Sequence, residues 1–255
     1  MSDVSSKGGG NGSVSCKGIN RRQLLYVSTA SVLGLSFGIG YAETRRIEVT
    51  KLDMGIGRKV AFLTDLHINA LGGVVDDIIG LVEEEEPDII MLGGDTVDEL
   101  TVDMKSVSIF LSKLEAKEKF AVMGNHEYWS GKVEGLAEVL KDQGFKVLYD
   151  SVDSSSAGKV YGLNWSEDRK YPQIEAEGIV LVHDPNAATS ISGRALILSG
   201  HTHGGVALFG IEYSNSIYVR GLYKTSESIV LYVSRGLGQM FPWRPTSPLE
   251  LVIVE

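Results

Sequence analysis

Short apolar runs recur along this chain, and five of them lead into a short block that holds an aspartate, asparagine or histidine. Residues 59–64 lead into Asp65-Leu66-His67, and residues 88–92 into Gly93-Gly94-Asp95-Thr96-Val97-Asp98. Residues 119–123 lead into Gly124-Asn125-His126-Glu127. A run ending at Val182 meets His183-Asp184-Pro185, and one ending at Leu198 meets Ser199-Gly200-His201-Thr202-His203-Gly204. Brief apolar runs bounded by turn residues read as buried strands. Between and after the first three lie segments with helical spacing: 74–84 with Val75, Ile78, Ile79 and Val82; 102–114 with Val107, Phe110, Leu111 and Leu114; and 133–143. Strand–helix alternation predicts βαβ units around a mostly parallel, buried sheet. In such α/β sheets ligands bind at the carboxyl ends of the strands, and all five histidines stand at such ends.

The second half is richer in strands, expected at 147–149, 159–163, 179–182, 195–198, 216–219, 229–234 and 249–254. At 255 residues, with 43% apolar and 22% charged residues, the composition is that of a globular protein of one or two domains. The only cysteine, Cys16, lies near the N-terminus, which excludes a disulfide framework and any cysteine nucleophile or cysteine metal site in the body.

Residues 1–18 are rich in Ser and Gly and read as disordered. Arg21-Arg22, Leu24-Leu25 and an uncharged stretch to Ala42 resemble a twin-arginine export signal, cleaved or retained as an anchor. The domains expected are a leader over 1–42 and a single catalytic domain over 43–255, exported or membrane-anchored outside the cytoplasm. Without the leader the chain keeps 20 basic and 32 acidic residues, so its net charge falls from −9 to −12. So acidic a body is a poor partner for long nucleic acid.

Taken singly, Asp98 reads as a helix cap or turn residue, and Asn125 as a turn residue. Together, carboxylates and imidazoles converging without partners carry a desolvation and repulsion cost that divalent cations relieve. A donor set of N and O alone excludes a cysteine-rich zinc site and favours Mn, Fe, Zn, Co or Ni.

In order, Asp65-x-His67, Gly94-Asp95-x-x-Asp98, Gly124-Asn125-His126-Glu127, His183 and Gly200-His201-x-His203 resemble the signature of the calcineurin-like metallophosphoesterases. The resemblance covers about residues 57–255. Details of the last block and of Ser234-Arg235-Gly236-Leu237-Gly238 resemble a branch of exported or membrane-bound phosphodiesterases similar to UDP-2,3-diacylglucosamine pyrophosphatases. The resemblance implies a four-layer αββα sandwich and two divalent metal ions. It places one metal on Asp65, His67, Asp95 and His203, and the other on Asp95, Asn125, His183 and His201. Asp98 would orient a ligand, and His126 would face the leaving group as general acid, with Asn125 at the phosphoryl oxygens. The implied reaction is hydrolysis of a phosphodiester or pyrophosphate by a metal-bridging hydroxide, on small-molecule, lipid or cell-envelope substrates.

The segment Met240-Phe241-Pro242-Trp243-Arg244 has two readings: ordinary loop packing, or a cleft wall in which Trp243 meets an apolar or sugar group and Arg244 a phosphate. A phosphomonoesterase, a small-nucleotide phosphodiesterase, a nuclease and a non-catalytic metal-stabilised scaffold remain alternatives.

Overall fold

The computed structural model describes residues 20–69, 71–208, 211–240 and 243–255. The Ser- and Gly-rich stretch 1–18, Phe241 and Pro242 lie outside the described residues. The chain divides at Ser36 into two compact units. Helix α1 (Arg21–Glu43) begins in the first; with 23 residues it is long and apolar enough to cross a membrane.

The second unit holds two six-stranded sheets. One contains β1 (Ile47–Leu52), β2 (Val60–Leu63), β3 (Ile89–Leu92), β4 (Glu118–Ala121), β5 (Lys146–Val147) and β14 (Leu249–Val254). Its spatial order is β1-β14-β2-β3-β4-β5. Strands β2 to β5 are parallel, while β14 runs against β2. The other sheet contains β6 (Ser151–Ser155), β7 (Gly158–Leu163), β8 (Ile174–Val182), β9 (Ile191–Ser199), β12 (Gly221–Lys224) and β13 (Ile229–Val233), in the order β12-β13-β9-β8-β7-β6. A short hairpin of β10 (Val206–Leu208) and β11 (Ile211–Tyr213) stands apart.

Alternation along the strands separates the layers. Val60, Phe62, Ile89, Met91 and Phe120 pack inward against Leu181, Leu196 and Leu198 of the facing sheet. On the other face, Ala61, Leu63, Ile90 and Leu92 meet α2 (Val74–Glu85), α3 (Met104–Ser112) and α5 (Val133–Asp142) through Ile78, Val82, Phe110, Leu111 and Leu136. Each helix presents its apolar stripe, and Asp103 caps α3 by accepting the Ser106 N–H at 2.9 Å. The two mixed sheets with their helices agree with the expected α/β class. The fourth layer is thin among the described residues: Ala187 and Ala188 of a 3₁₀ turn, with Tyr171, Tyr218 and Tyr223, cover the outer face of the second sheet.

Two local expectations are corrected. Residues 216–219 are not a strand, because side chains hold their backbone. Ser214 Oγ accepts the Ser216 N–H, Asn186 Oδ1 that of Ile217 and Tyr223 Oη that of Val219, which leaves none of these donors for a ladder. The strand follows at β12. Conversely, β1 forms where none was expected, as a half-buried edge strand paired in parallel with β14.

Candidate metal centre

The strand ends bring their polar blocks to one place. Beyond β2 and β3 the pairing persists in the loops: Asp65 N–H donates to Gly94 O and His67 N–H to Asp95 O, both at 3.0 Å. The loop after β4 opens α4 (Asn125–Trp129). Glu127 ties these loops together. Its buried carboxylate accepts the N–H groups of Gly124, Asp95, Thr96 and Val97 at 2.6–3.1 Å. Burial and the neighbouring Asp95 push Glu127 up to about 7 against the pull of those donors. No sidechain fits at Gly124, where a Cβ would lie 2.3 Å from Asp95 Oδ1.

Asp65, His67, Asp95, His201 and His203 all sit at positive φ, between 46° and 71°. Each such backbone costs about 1–2 kcal/mol for an L-residue, and clustering of that strain is a mark of functional sites.

Two neighbouring groups of donors result, linked by a third. Asp65, His67 and His203 have ligand atoms within 4.8 Å of one another, as do Asp95, His183 and His201. His67, Asp95 and His126 form a third such set, so Asp95 stands between the first two. Asn125 Oδ1 joins the second group, 3.1 Å from His183 Nε2 and 2.9 Å from His201 Nδ1.

Outer hydrogen bonds fix which ring nitrogens face inward. His67 Nδ1 bonds Asp98 Oδ2 at 3.0 Å, His183 Nδ1 bonds Gly93 O at 2.8 Å, and His203 Nδ1 bonds Gly238 O at 3.1 Å. Each of these leaves Nε2 turned inward. His201 is reversed: Nδ1 faces the group, and Nε2 lies 2.9 Å from Arg169 and 3.0 Å from Asn215 Nδ2.

The residues fit divalent cations. His67 Nε2 is buried without a hydrogen-bond partner among the described residues, an orphan that a metal bond would satisfy. Positive charge is what the site lacks. Burial pulls His183 down, yet Asp95 at 3.0 Å raises it to about 10, so a proton is held where a cation would bind. His201, lowered to about 4 by burial and by His183, is neutral at neutral pH, as a ligand must be.

His126 stands at the rim. Its N–H donates to Asp95 Oδ1 at 2.9 Å, and its Nδ1 bonds Glu99 Oε2 at 2.8 Å. Trp243 lines a cavity of about 310 Å³ together with His67, His126, His203 and Met240. Of the two readings of Arg244, its contacts are those of loop packing. It is buried, and its guanidinium N–H groups go to Ser247 O, Gly238 O, Gln239 Oε1, His203 O and Arg235 O. Its donors build the loop and leave none for a ligand.

The sequence motifs do not name Glu99, Trp129, Trp165, Glu167, Arg169 or Asn215, and Glu127 stands in its motif without a role. Residues 164–169 follow β7 as another strand end loaded with polar and aromatic residues, a signal of the same kind as the other five. Glu99 and Glu127 act on backbone or on another side chain, which spacing alone does not reveal.

The family model of the calcineurin-like phosphoesterases matches residues 58–205. An uncharacterized metallophosphoesterase of Campylobacter jejuni is 30% identical over 83% of this chain and 62% of its own length. One of Aquifex aeolicus is 32% identical over 83% of this chain and 90% of its own. The phosphodiesterase YaeI of Escherichia coli is 29% identical over 93% of this chain and 99% of its own. The chain thus spans about three fifths of the Campylobacter relative and nearly all of the other two. It belongs to the calcineurin-like phosphoesterase family.

Proposed function

We propose that this calcineurin-like phosphoesterase is a dinuclear metal-dependent phosphodiesterase acting on lipid or cell-envelope diesters. Its catalytic domain, residues 43–255, would be exported and held at the membrane by α1. The observation that carries the reading is two donor groups, Asp65–His67–His203 and Asp95–His183–His201, linked by the close approach of His67 and Asp95, with inward nitrogens fixed by outer hydrogen bonds. Asp65, His67, Asp95 and His203 would hold one cation, and Asp95, Asn125, His183 and His201 the other. Bound there, divalent cations would lower the pKa of a bound water towards ~7 and neutralise phosphoryl charge.

The chain's own residues supply the rest. Asn125, with Oδ1 turned to the imidazoles, leaves Nδ2 as a donor for a phosphoryl oxygen. As the imidazolium, His126 would give a proton from Nε2 to the departing ester oxygen, while the Glu99 carboxylate facing Nδ1 orients the ring. The cavity beside His126 and His203 supports an apolar substrate arm. Trp243 also packs on the backbone at Gly40 near the end of α1, where a Cβ would lie 2.3 Å from Trp243 Cδ1. This close packing supports a substrate met near the membrane.

The test is hydrolysis by the full-length protein, stripped of metal and reloaded with Mn²⁺. Bis-p-nitrophenyl phosphate is expected to exceed p-nitrophenyl phosphate in kcat/KM at least ~10-fold, a difference of about 1.4 kcal/mol. Preference for the monoester overturns the diester assignment. No turnover of either ester with two metals bound overturns the enzyme.

A further inference from the structure

Two tryptophans beside the donor groups have no part in the chemistry above. Trp129 ends α4, three residues after His126, and is 53% exposed; its ring lies 5.1 Å from that of His126. Trp165 follows β7, with its ring 5.2 Å from His201 and 6.0 Å from His183. The indoles meet edge to face at 86° and 6.3 Å, so they form the two sides of a corner.

The corner is built rather than incidental. Both indole N–H groups donate to one oxygen, Glu167 Oε2, each at 3.0 Å. That leaves Glu167 Oε1 without a partner among the described residues. Tyr128 Oη donates to Asn164 Oδ1 at 2.8 Å, which fastens the loop to α4. Arg169, at φ 54°, donates to Asn215 O at 2.7 Å and stands over the Trp165 ring at 5.9 Å. Core packing does not account for a half-exposed tryptophan whose neighbours are imidazoles and another indole.

We propose that Trp129, Trp165 and Glu167 form a subsite for one ester arm of the substrate: a neutral ring with an apolar face and hydrogen-bond donors at its edge. The inference rests on the phosphoesterase reading, which places the phosphate among His183, His201 and His126, next to both indoles. Indole faces take the flat side of a ring, and the free carboxylate oxygen takes its amino, imino or hydroxyl donors. The same carboxylate repels a second phosphate, so a polyphosphate or a continuing nucleic-acid strand is disfavoured there. A sugar and a nucleobase both meet this description. The cavity lined by His126, Met240 and Trp243 includes none of Trp129, Trp165 and Glu167 and is left for the second arm.

The test is calorimetric titration of the Mn²⁺-loaded full-length protein with glucose 6-phosphate, thymidine 5′-phosphate and methyl phosphate. At least one ring-bearing phosphate is expected to bind ~10-fold or more tighter than methyl phosphate, the scale of one stacked ring. Whichever ring binds tighter identifies the source. The ratio is expected to fall below about 3 in Trp165→Leu and in Trp129→Leu. The second variant alters a half-exposed residue, and circular dichroism checks the fold of both. Glu167→Gln is expected to weaken the ring phosphates more than methyl phosphate. Equal binding of all three phosphates by the wild type overturns the proposal, as does a ratio unchanged in both tryptophan variants. Because binding is read without turnover, failure of the subsite is distinguishable from failure of the hydrolase reading. A protein that hydrolyses bis-p-nitrophenyl phosphate without ring preference loses the subsite alone; one that binds rings without hydrolysis loses the enzyme alone.

Discussion

Replacing Asp98 with asparagine changes one atom, yet the structure expects it to reverse the tautomer of His67. Asp98 is fully buried. Its Oδ1 accepts the N–H groups of Leu100 at 2.8 Å and Thr101 at 3.1 Å, and its Oδ2 faces His67 Nδ1 at 3.0 Å. In Asp98→Asn the carbonyl oxygen must stay with the two backbone donors, because an amide NH₂ there would oppose them. The NH₂ therefore faces Nδ1, which must now accept. The ring proton moves to Nε2, the atom that is buried without a partner in the native site. An unpaired buried N–H costs about 1–3 kcal/mol. Loss of a carboxylate behind a ligating histidine typically lowers metal affinity about 10–100-fold, or about 1.4–2.7 kcal/mol. Competition with a chromophoric chelator reads both metals, and urea denaturation of the metal-free protein reads stability. The expected result is weakening of the Asp65–His67–His203 metal, with the Asp95–His183–His201 metal nearly unaffected. Wild-type affinity at both positions, or equal loss at both, refutes the tautomer argument.

Further outcomes follow from contacts elsewhere in the molecule. His126→Ala is expected to keep its metals and lose about 10²–10⁴-fold on esters with poor leaving groups, much less on nitrophenyl esters. Glu99→Gln should fall between it and wild type, and equal losses on both ester types count against the acid role. Glu250 is buried, and burial pushes its pKa up, but Thr50, Arg235 and Tyr232 hold it lower than an ordinary glutamate. A depressed carboxyl contributes stability above its unfolded pKa of about 4.3 and loses it as pH falls below that value. The stability gap between wild type and Glu250→Gln should therefore be level above about pH 5 and shrink below about pH 4. A gap independent of pH in urea denaturation would contradict this. Gly124→Ala drives a Cβ to 2.3 Å from Asp95 Oδ1 and should cost about 1–3 kcal/mol with weakened binding of both metals. Gly80→Ala in α2 meets nothing within 4 Å and should gain up to about 1 kcal/mol in the same denaturation assay.

The parts of this molecule that could be read from sequence are those where one residue type answers to one local cause. Apolar runs at β2, β3, β4, β8 and β9 announce strands buried on both faces. Polar blocks at their ends announce where the chain leaves the sheet, and the structure gathers Asp65, His67, Asp95, Asn125, His183, His201 and His203 there. Strand β1 was not legible, because an edge strand that is half-buried carries no continuous apolar run. Residues 216–219 read as a strand because side-chain acceptors as far away as Asn186 decide their backbone. Arg244 keeps two readings in sequence because a buried arginine and an exposed one are the same letter; only the carbonyls around it show how it is used. Trp165 and Glu167 stand 38 and 40 residues beyond the stretch at Glu127 that ties the site together, and nothing in their spacing links them to it.

The central claim is that two neighbouring donor groups share Asp95 and hold two cations. The direct measurement is metal content after Mn²⁺ reloading, by elemental analysis of the folded wild type and of single His67→Ala and His183→Ala variants. The account expects two metals per chain in the wild type and close to one in each variant, with folding checked by circular dichroism. One metal in the wild type, or two retained in both folded variants, contradicts it.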